Sequence, residues 1–488
     1  MSEKITVDKN ENFSEWYTQV CSPEGAALAD NRYNVKGTIV HLPWSFKILR
    51  KIYALLEDRI EADGHEPVQF PTLIEEQSLE KEEEHSGFAP EVYWVTEAGD
   101  NELDRRLGLR PTGETQFYPM YSKWLRTHTQ LPMKYYQSRI NVFRYESHAR
   151  PFLRGREFMF FETHDLFRDQ AGVDEQIQTD KDIMEAVFLD QLKVPFKFLR
   201  RPSWDKFLGA EATFAADTLM PDGRRNQMSS THDFGTNFAE AYDITYDDEN
   251  GDSHHPLQTA FGPGIWRVMA SVIGIHGDNT GLILPSVIAP VQTVIIPIPF
   301  GDDEENEAIM EQCQDLKTQL ENAGVRATVD ASDKRPGWKY NHWEMKGVPT
   351  RVEIGPRDIE TDDCVIATRF GDQDSHPVSE AVATVKDVLE DVDDEIEERA
   401  EQYFEDNTVY TEDYDELLNV IEDFEGFVKA PFYDIKGDKA ERLAEQLQED
   451  TDGAYVCGVD QSEDDVSGKK CIVSGDPASH IVYIAKSY

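Results

Sequence analysis

Arginines collect in one stretch of an otherwise acidic chain. Between Lys134 and Arg168 stand Arg139, Arg144, Arg150, Arg154 and Arg156. A guanidinium offers a planar fork of donors that meets phosphate oxygens two at a time. Several forks on a rigid sheet would grip a triphosphate with side chains alone. Side chains would have to suffice, because the chain has no G-x-x-x-x-G-K-[ST] loop and no G-x-G-x-x-G after a strand. The competing reading is that these arginines only neutralise nearby carboxylates.

The residues around the arginines predict what carries them. Tyr135-Tyr136, Val142-Phe143 and Phe158-Met159-Phe160-Phe161 are strand formers, and Ser147 to Pro151 reads as a loop. The pattern predicts two long antiparallel strands joined by a mobile loop.

The chain as a whole has 488 residues, enough for two to four domains at ~100–200 residues each. Its 39% hydrophobic and 11% aromatic content can fill real cores, which excludes global disorder. Asp and Glu number 95 against 48 Lys and Arg, a net charge of −47, with Lys scarce and the acid spread along the chain. Either the protein avoids polyanions or it works in salt. At ~1 M salt the Debye length is only ~3 Å, so self-repulsion fades and hydrated carboxylates keep the protein dissolved. The composition fits a high-salt cytoplasm, as in a halophile, and there an acidic surface does not exclude a nucleic-acid partner.

Cys21, Cys313, Cys364, Cys457 and Cys471 are widely spaced and form no C-x2-4-C pair, so neither a disulfide framework nor a zinc ribbon is signalled. The N-terminus lacks a basic and apolar leader, and no apolar run reaches ~18 residues. The expectation is a soluble, cytoplasmic chain with no membrane partner.

Residues up to about 290 alternate helical patterns with short aromatic strands. Leu284 to Pro290 reads as a linker, and Val291 to Ile298 as a buried strand. A helix over Ala308 to Ala323 stops at Gly324, followed by a strand over Val325 to Val329. Arg335-Pro336-Gly337-Trp338 reads as a loop, and Thr350 to Ile354 and Cys364 to Arg369 as strands. This alternation predicts a small α/β domain closed by an acidic helix over Val378 to Gln402. A third, very acidic unit begins beyond about 410 and finishes on the strand-like Ile481 to Ile484. His254-His255 reads as a solvent-facing pair.

Several motifs, in order, resemble one family. Arg110-Pro111-Thr112-Gly113-Glu114-Thr115, Phe143-Arg144-Tyr145-Glu146 and Pro151 to Phe158 look like the motif-2 region of a class II aminoacyl-tRNA synthetase. They look like the prolyl-tRNA synthetases of archaeal and eukaryote-like type. Phe70-Pro71 resembles motif 1, and Gly87-Phe88-Ala89-Pro90-Glu91 with Val95-Thr96 resembles the segment that follows it. Ser230-Thr231-His232 resembles the substrate loop, and Trp266-Arg267 with His276-Gly277-Asp278 resembles motif 3. Arg335 to Lys339 and Lys346 to Pro349 resemble the anticodon-binding domain. The stretch from Arg156 to Arg267 is too short for the large editing insertion of bacterial-type relatives.

The resemblance implies an α+β fold: an antiparallel-sheet class II catalytic domain over 1–290, an α/β anticodon-binding domain over 291–405, and a small α/β C-terminal domain over 406–488. It implies attachment of L-proline to tRNA(Pro) in two steps, through an ATP-dependent adenylate, by a homodimer formed at motif 1. The rivals are a non-catalytic paralogue that binds tRNA and a class II enzyme for another amino acid. Retention of Arg144, Glu146 and Arg267 speaks against the first.

Carried over residue by residue, the resemblance assigns Arg144 to the α-phosphate, Glu146 (two residues along the same strand face) to the adenine amine, and Arg267 to the γ-phosphate. Arg154 assists from the loop side, Gln227 and Ser230 complete the ATP set, and Mg2+ is expected between the phosphates. Catalysis would then be mainly positioning and electrostatic stabilisation. Thr112 and Glu114 resemble the pair that binds the proline ammonium, with Arg144 nearby. Phe160, Phe261 and His164 are candidates for the ring wall, supported by Glu162, and His232 belongs to the loop that closes over proline. The two phenylalanines also read as plain core residues. Arg335, Trp338 and Lys339 would meet anticodon bases by stacking and charge, with Trp338 equally a local core residue.

The chain departs from its relatives in places. Phe160 stands where Trp is common, and Ala260-Phe261 where Ser-Trp is common. The four-cysteine zinc site of many relatives is replaced by Phe432-Tyr433-Asp434 and Cys471-Ile472-Val473-Ser474, so no structural zinc is expected. The last residues, Ala485 to Tyr488, match relatives whose final carboxylate tucks near the active site.

Overall fold

The computed structural model describes residues 5–80, 91–299, 303–423, 426–462 and 465–488. Of the motif segment Gly87 to Glu91, all but Glu91 lies outside them.

An 11-stranded sheet organises the molecule. In chain order its strands are β1 (Glu66–Pro67), β2 (Met133–Phe143), β3 (Glu157–Phe167), β4 (Lys197–Arg200), β5 (Ala212–Leu219), β6 (Arg225–Gly235), β7 (Leu257–Pro263), β8 (Thr408–Tyr410), β9 (Phe427–Phe432), β10 (Tyr455–Asp460) and β11 (His480–Ala485). Across the sheet they run β8-β9-β11-β10-β4-β5-β6-β7-β3-β2-β1. The two long strands expected around the arginines are β2 and β3. They pair antiparallel, and the register shifts between Gln137 and Ile140, where Arg139 takes φ +53°. Such a bulge adds a residue on one strand and re-aims its neighbours.

Helices cover the back of this sheet. In the helix Pro43–Ala62, Pro43 sits in the first turn, where its missing N–H costs nothing. Trp44, Ile48, Leu49, Ile52, Tyr53, Leu56 and Ile60 recur every three or four residues and form one buried stripe. Full burial of each such aliphatic side chain contributes roughly 1.5–3 kcal/mol. That stripe shares a core with Met184, Phe161 of β3, Phe261 of β7 and the helix Ile265–Ser271. On the front, the helix Glu114–Trp124 packs Phe117, Tyr118 and Tyr121 into a second core with Phe234 and Ala260.

The region after the linker holds a five-stranded sheet ordered Ala327–Val329, Thr293–Pro297, Thr350–Ile354, Asp363–Thr368, Gln373–Pro377. The predicted loop at Arg335 to Trp338 is instead the start of a helix, Pro336–Met345. Proline is tolerated in a first helical turn, so Arg335-Pro336 opens that helix rather than breaking it.

The helix Ala381–Asp406 runs on from this sheet. Its buried residues pass from one core (Ala381, Val385, Leu389) through a second with Ile283 (Val392, Ile396) to a third with Leu199 and Phe427 (Phe404). The last unit keeps a core of its own around Leu417, Phe432 and Val482. Yet its strands continue the main sheet, because β10 pairs antiparallel with β4 through Val459–Arg200 and Asp460–Leu199. The sequence read this unit as separate; pairing between strands so far apart in the chain leaves no local signal.

Candidate active site

Two joined cavities lie on the front of the sheet. The larger, about 460 Å3, is bordered by Arg144, Glu146, Arg154, Gln227 and Arg267. The smaller, about 270 Å3, is bordered by Thr112, Glu114, Glu162, His164 and His232. Phe160, Gln227, Ser230 and Gly262 border both.

The larger cavity is where the basic island delivers its charge. β2 ends at Phe143, so Arg144 and Glu146 stand just beyond the strand, not on one strand face as expected. The ladder's last support is the Arg144 N–H donated to the Arg156 carbonyl at 3.0 Å. Arg156 braces this turn: its Nε donates to the Glu146 carbonyl at 2.8 Å and its guanidinium lies 4.5 Å over the Tyr145 ring. Glu146 accepts from the His148 N–H at 2.9 Å and from Arg154 at 3.4 Å. Burial pushes its carboxyl up, but these donors outweigh that and hold it low. Across the cavity, burial and the positive charges of Arg154, Arg225 and Arg144 pull the Arg267 guanidinium down to about 10. A cation stressed in this way gains from any polyanion placed beside it.

The neutraliser reading holds for other members of the island. Arg139 forks onto Glu57 at 2.8 and 2.7 Å, Lys134 reaches Asp63 at 3.0 Å, and Arg168 pairs with Glu249 at 2.8 Å. Arg150 lies over the Tyr17 ring and donates to the Ser14 carbonyl.

The smaller cavity is acid-lined and deeply held. Glu162 and His164 share a face of β3, as residues two apart on a strand must. Glu162 accepts from Gln137 Nε2 at 2.6 Å and faces His164 Nε2 at 3.3 Å. His164 Nδ1 meets the Tyr118 hydroxyl at 3.2 Å, and its ring lies 4.4 Å from that of Phe117. Thr112 donates to Glu114. Gly113 lets the chain approach: a Cβ there would overlap the Glu162 carboxylate. Burial raises the Glu114 carboxyl, with His164 pulling it down and Glu162 pushing it up. Burial disfavours the His164 imidazolium, but the Glu162 contact and the Glu114 charge outweigh it and raise its titration. Opposite, burial drops His232 to about 3, a neutral ring whose nitrogens meet Thr213 at 3.0 Å and Ser230 at 3.1 Å. Glu114, Glu162 and His164 are the one trio among the described residues close enough to share a metal ion. Their two carboxylates beside a small cavity equally suit an organic cation with N–H donors.

Of the expected ring wall, Phe160 is half-buried and borders both cavities. Phe261 borders the smaller cavity as well, and it is at the same time 1% exposed and packed in the rear core, in register with Thr163 and Thr231, so both readings of it meet at one residue. Lys339 is a correction: its ammonium is buried and donates to the Asp330 carbonyl at 2.7 Å, so it is not presented to a base. Trp338 stacks half-buried on His342 at 4.9 Å, and Arg335 is exposed at the start of the same helix. Sequence reading missed Gln137, which holds Glu162, and Arg201, which borders the smaller cavity. Neither lies in a motif quoted above, and only the strand register brings them in.

Comparison with known proteins agrees with this geometry. Residues 93–276 match the tRNA synthetase class II core domain (G, H, P, S and T), and residues 292–388 match an anticodon binding domain. Over 494 residues the chain is 46% identical to a proline–tRNA ligase of Thermofilum pendens, covering 100% of both chains. It is 39% identical to that of Pyrococcus abyssi over 486 residues, 98% of each. It also superposes on Giardia lamblia prolyl-tRNA synthetase in complex with prolyl-adenylate, with a TM-score of 0.95 at 32% identity, covering 99% of this chain and 100% of that one. Two matched domains in the expected order, with full-length identity to archaeal relatives, establish that the chain belongs to the class II proline–tRNA ligase family of archaeal type.

Proposed function

We propose that the arginine-lined cavity takes ATP, the acid-lined cavity takes L-proline, and the two react where Phe160, Gln227, Ser230 and Gly262 border both. The chain joins L-proline to tRNA(Pro) in two steps. The proline carboxylate attacks the α-phosphorus and pyrophosphate leaves; the terminal ribose hydroxyl of the tRNA then attacks the prolyl carbonyl and AMP leaves. The observation that carries the assignment of ligands is the charge of the paired cavities: Arg144, Arg154 and Arg267 in one, Glu114 and Glu162 in the other.

In this reading Arg144 meets the α-phosphate, where negative charge develops, and Arg267 and Arg154 hold the outer phosphates. Fixed cations aimed at developing charge need no reorganisation during the reaction. Glu146 accepts from the adenine amine. Glu114, Glu162 and Thr112 offer oxygens to the two N–H donors of the secondary ammonium, and Phe160 supplies apolar wall for the ring. Mg2+ between the phosphates would neutralise part of their charge, and Glu146, the one carboxylate among the residues that border the larger cavity, would be the side chain available to it there. Proline-dependent ATP–pyrophosphate exchange in high salt tests the reading, and exchange driven by another amino acid in place of proline would overturn it.

Five further features belong to the same proposal. The chain is a homodimer, supported by β1 at the sheet edge, which pairs with β2 alone, just before Phe70-Pro71. It carries no structural zinc, supported by Phe432-Tyr433-Asp434 and Cys471-Ile472-Val473-Ser474, which hold one cysteine where a zinc site needs four ligands. It works in a salt-rich cytoplasm, supported by the net charge of −47 and by described helices too short or too polar to cross a membrane. Exposed Arg335 and half-exposed Trp338 contact the anticodon. The domains divide near 290 and 405.

A further inference from the structure

Arg201 follows β4 and is almost wholly buried, with 2% of its side chain exposed. Its guanidinium reaches three elements at once. Nη1 and Nη2 donate to the two oxygens of Asp217 on β5, at 2.6 and 2.7 Å. Nη1 also donates to the Cys457 carbonyl on β10 at 2.6 Å, at the seam where the last unit joins the main sheet. Nη2 also donates to Gln227 Oε1 on β6 at 2.9 Å. Asp217 is fully buried and takes a further donor from Arg225 at 3.0 Å, so the fork is locked on its carboxylate.

One consequence is stereochemical. An amide side chain can present its oxygen or its nitrogen to a neighbour, and the choice is fixed only by what the neighbour can accept. Arginine has donors and no acceptor. The Gln227 atom facing Arg201 is therefore the oxygen, and the amide nitrogen is turned away from the guanidinium. Gln227 borders both cavities, so its side chain serves the place where the two substrates meet.

We infer that Arg201 is a positioning residue for adenylate formation: it fixes the Gln227 carboxamide with its N–H donors toward the substrates, and it makes that orientation depend on docking of the C-terminal unit through Cys457. This rests on the assignment of the two cavities to ATP and proline. Loosening the C-terminal unit frees the fork, the amide turns, and a donor at the reacting centre is replaced by an acceptor facing phosphate oxygens.

The test is a double-mutant cycle read by proline-dependent ATP–pyrophosphate exchange on the full chain. Arg201→Lys keeps a positive charge near Asp217 but lacks the fork that serves three elements; its kcat is expected to fall about tenfold. Gln227→Ala is expected to fall at least as far. If Arg201 acts through Gln227, adding Arg201→Lys to Gln227→Ala costs less than a further twofold. Multiplying losses would overturn the inference, since a purely structural arginine slows both backgrounds alike. Gln227→Glu guards against a folding defect, because it keeps an oxygen for Arg201 and replaces the donor with a charged acceptor, the change that a turned amide makes without the charge. It is expected to fold as wild type and lose exchange; wild-type exchange would overturn the inference. Arg144→Ala, run alongside, separates the two levels: if it exchanges normally the assignment of the cavity falls, and if it is inactive while Gln227→Glu is not, only the role of Arg201 falls.

Discussion

The Nε2 atom of His65 stands 3.0 Å from Asp165 Oδ1, tying the approach to the edge strand β1 to the residue beside His164 on β3. On its other side Nδ1 lies 3.2 Å from Asp63. Burial works against a charged ring here, but Asp165, then Asp63 and Asp180, outweigh it and push the His65 titration up to about 10. Asp180, behind them, is pushed up to about 7 by burial. The signs agree. A raised histidine stabilises fully below its unfolded value near 6.5 and loses that contribution as pH climbs toward 10. A raised carboxyl costs stability that grows as pH rises from about 4 to 7. Unfolding free energy in high salt should therefore fall from pH 7 to 10, by at most about 1.4 kcal/mol per pH unit for the one proton of His65. In His65→Gln that slope should flatten; an unchanged slope in denaturant titrations would show the ring is not the titrating group.

Arg144→Ala should reduce exchange by about 100-fold or more, the scale on which removal of one preorganised donor at a developing charge acts. Its sedimentation behaviour and unfolding midpoint should stay near wild type, because Arg144 stands beyond the end of β2 rather than in a core. Sedimentation and exchange on the same preparation check both halves. Exchange at the normal rate would remove Arg144 from the α-phosphate.

The arginine site was legible because its members are neighbours in the chain. Arg144, Glu146 and Arg154 fall within one strand–loop–strand unit whose strand formers and loop residues announce it. What local pattern leaves open is which arginines do which job: Arg139 and Arg168 look like Arg144 in sequence, but Glu57 and Glu249 come from elsewhere in the chain to claim them. Phe261 reads both as ring wall and as core for a related reason. Strand alternation alone gives two faces, and only pairing with Thr231 and Thr163 says which one is the rear. Lys339, expected to meet a base by charge, follows a segment read as a loop; that segment opens a helix, and its inner face turns the lysine onto Asp330. The Arg201 network was out of reach of any local pattern, since Asp217, Gln227 and Cys457 meet only once β4, β5, β6 and β10 are assembled.

Tyr488 should matter to ATP. Arg154 donates to its main-chain oxygen, and its hydroxyl donates to Asp222 at 2.6 Å. The segment is further pinned by the Arg225 N–H to the Lys486 carbonyl at 2.8 Å. Deleting Tyr488 releases one anchor of Arg154, so KM for ATP should rise roughly three- to tenfold with KM for proline little changed. Unaltered ATP kinetics would mean Arg154 is held well enough by Glu146.

Salt should act on the whole chain. With a net charge of −47, carboxylates repel over about 10 Å at 0.1 M salt and over about 3 Å at 1 M. Thermal unfolding midpoints should climb as KCl is raised from 0.1 to 2 M. A flat response would mean that ion pairs such as Arg139–Glu57 and Arg369–Asp278 already balance the charge.

The last expectation turns on a missing side chain. Gly113 precedes the helix that begins at Glu114, and it lies so close to β3 that an added Cβ would meet the Glu162 carboxylate rather than open space. Glu162 cannot yield freely, because Gln137 holds one oxygen at 2.6 Å and His164 faces the other. Gly113→Ala must therefore push the Thr112–Glu114 turn away from Glu162 and widen the gap that the secondary ammonium has to bridge. KM for proline should rise at least about tenfold, the effect of losing one charge-assisted hydrogen bond. KM for ATP should hold, since neither Gly113 nor its neighbours border the larger cavity. Steady-state exchange with each substrate varied in turn decides it: equal losses for both substrates would mean general unfolding of the sheet front, and no loss would mean that proline does not sit between Glu114 and Glu162.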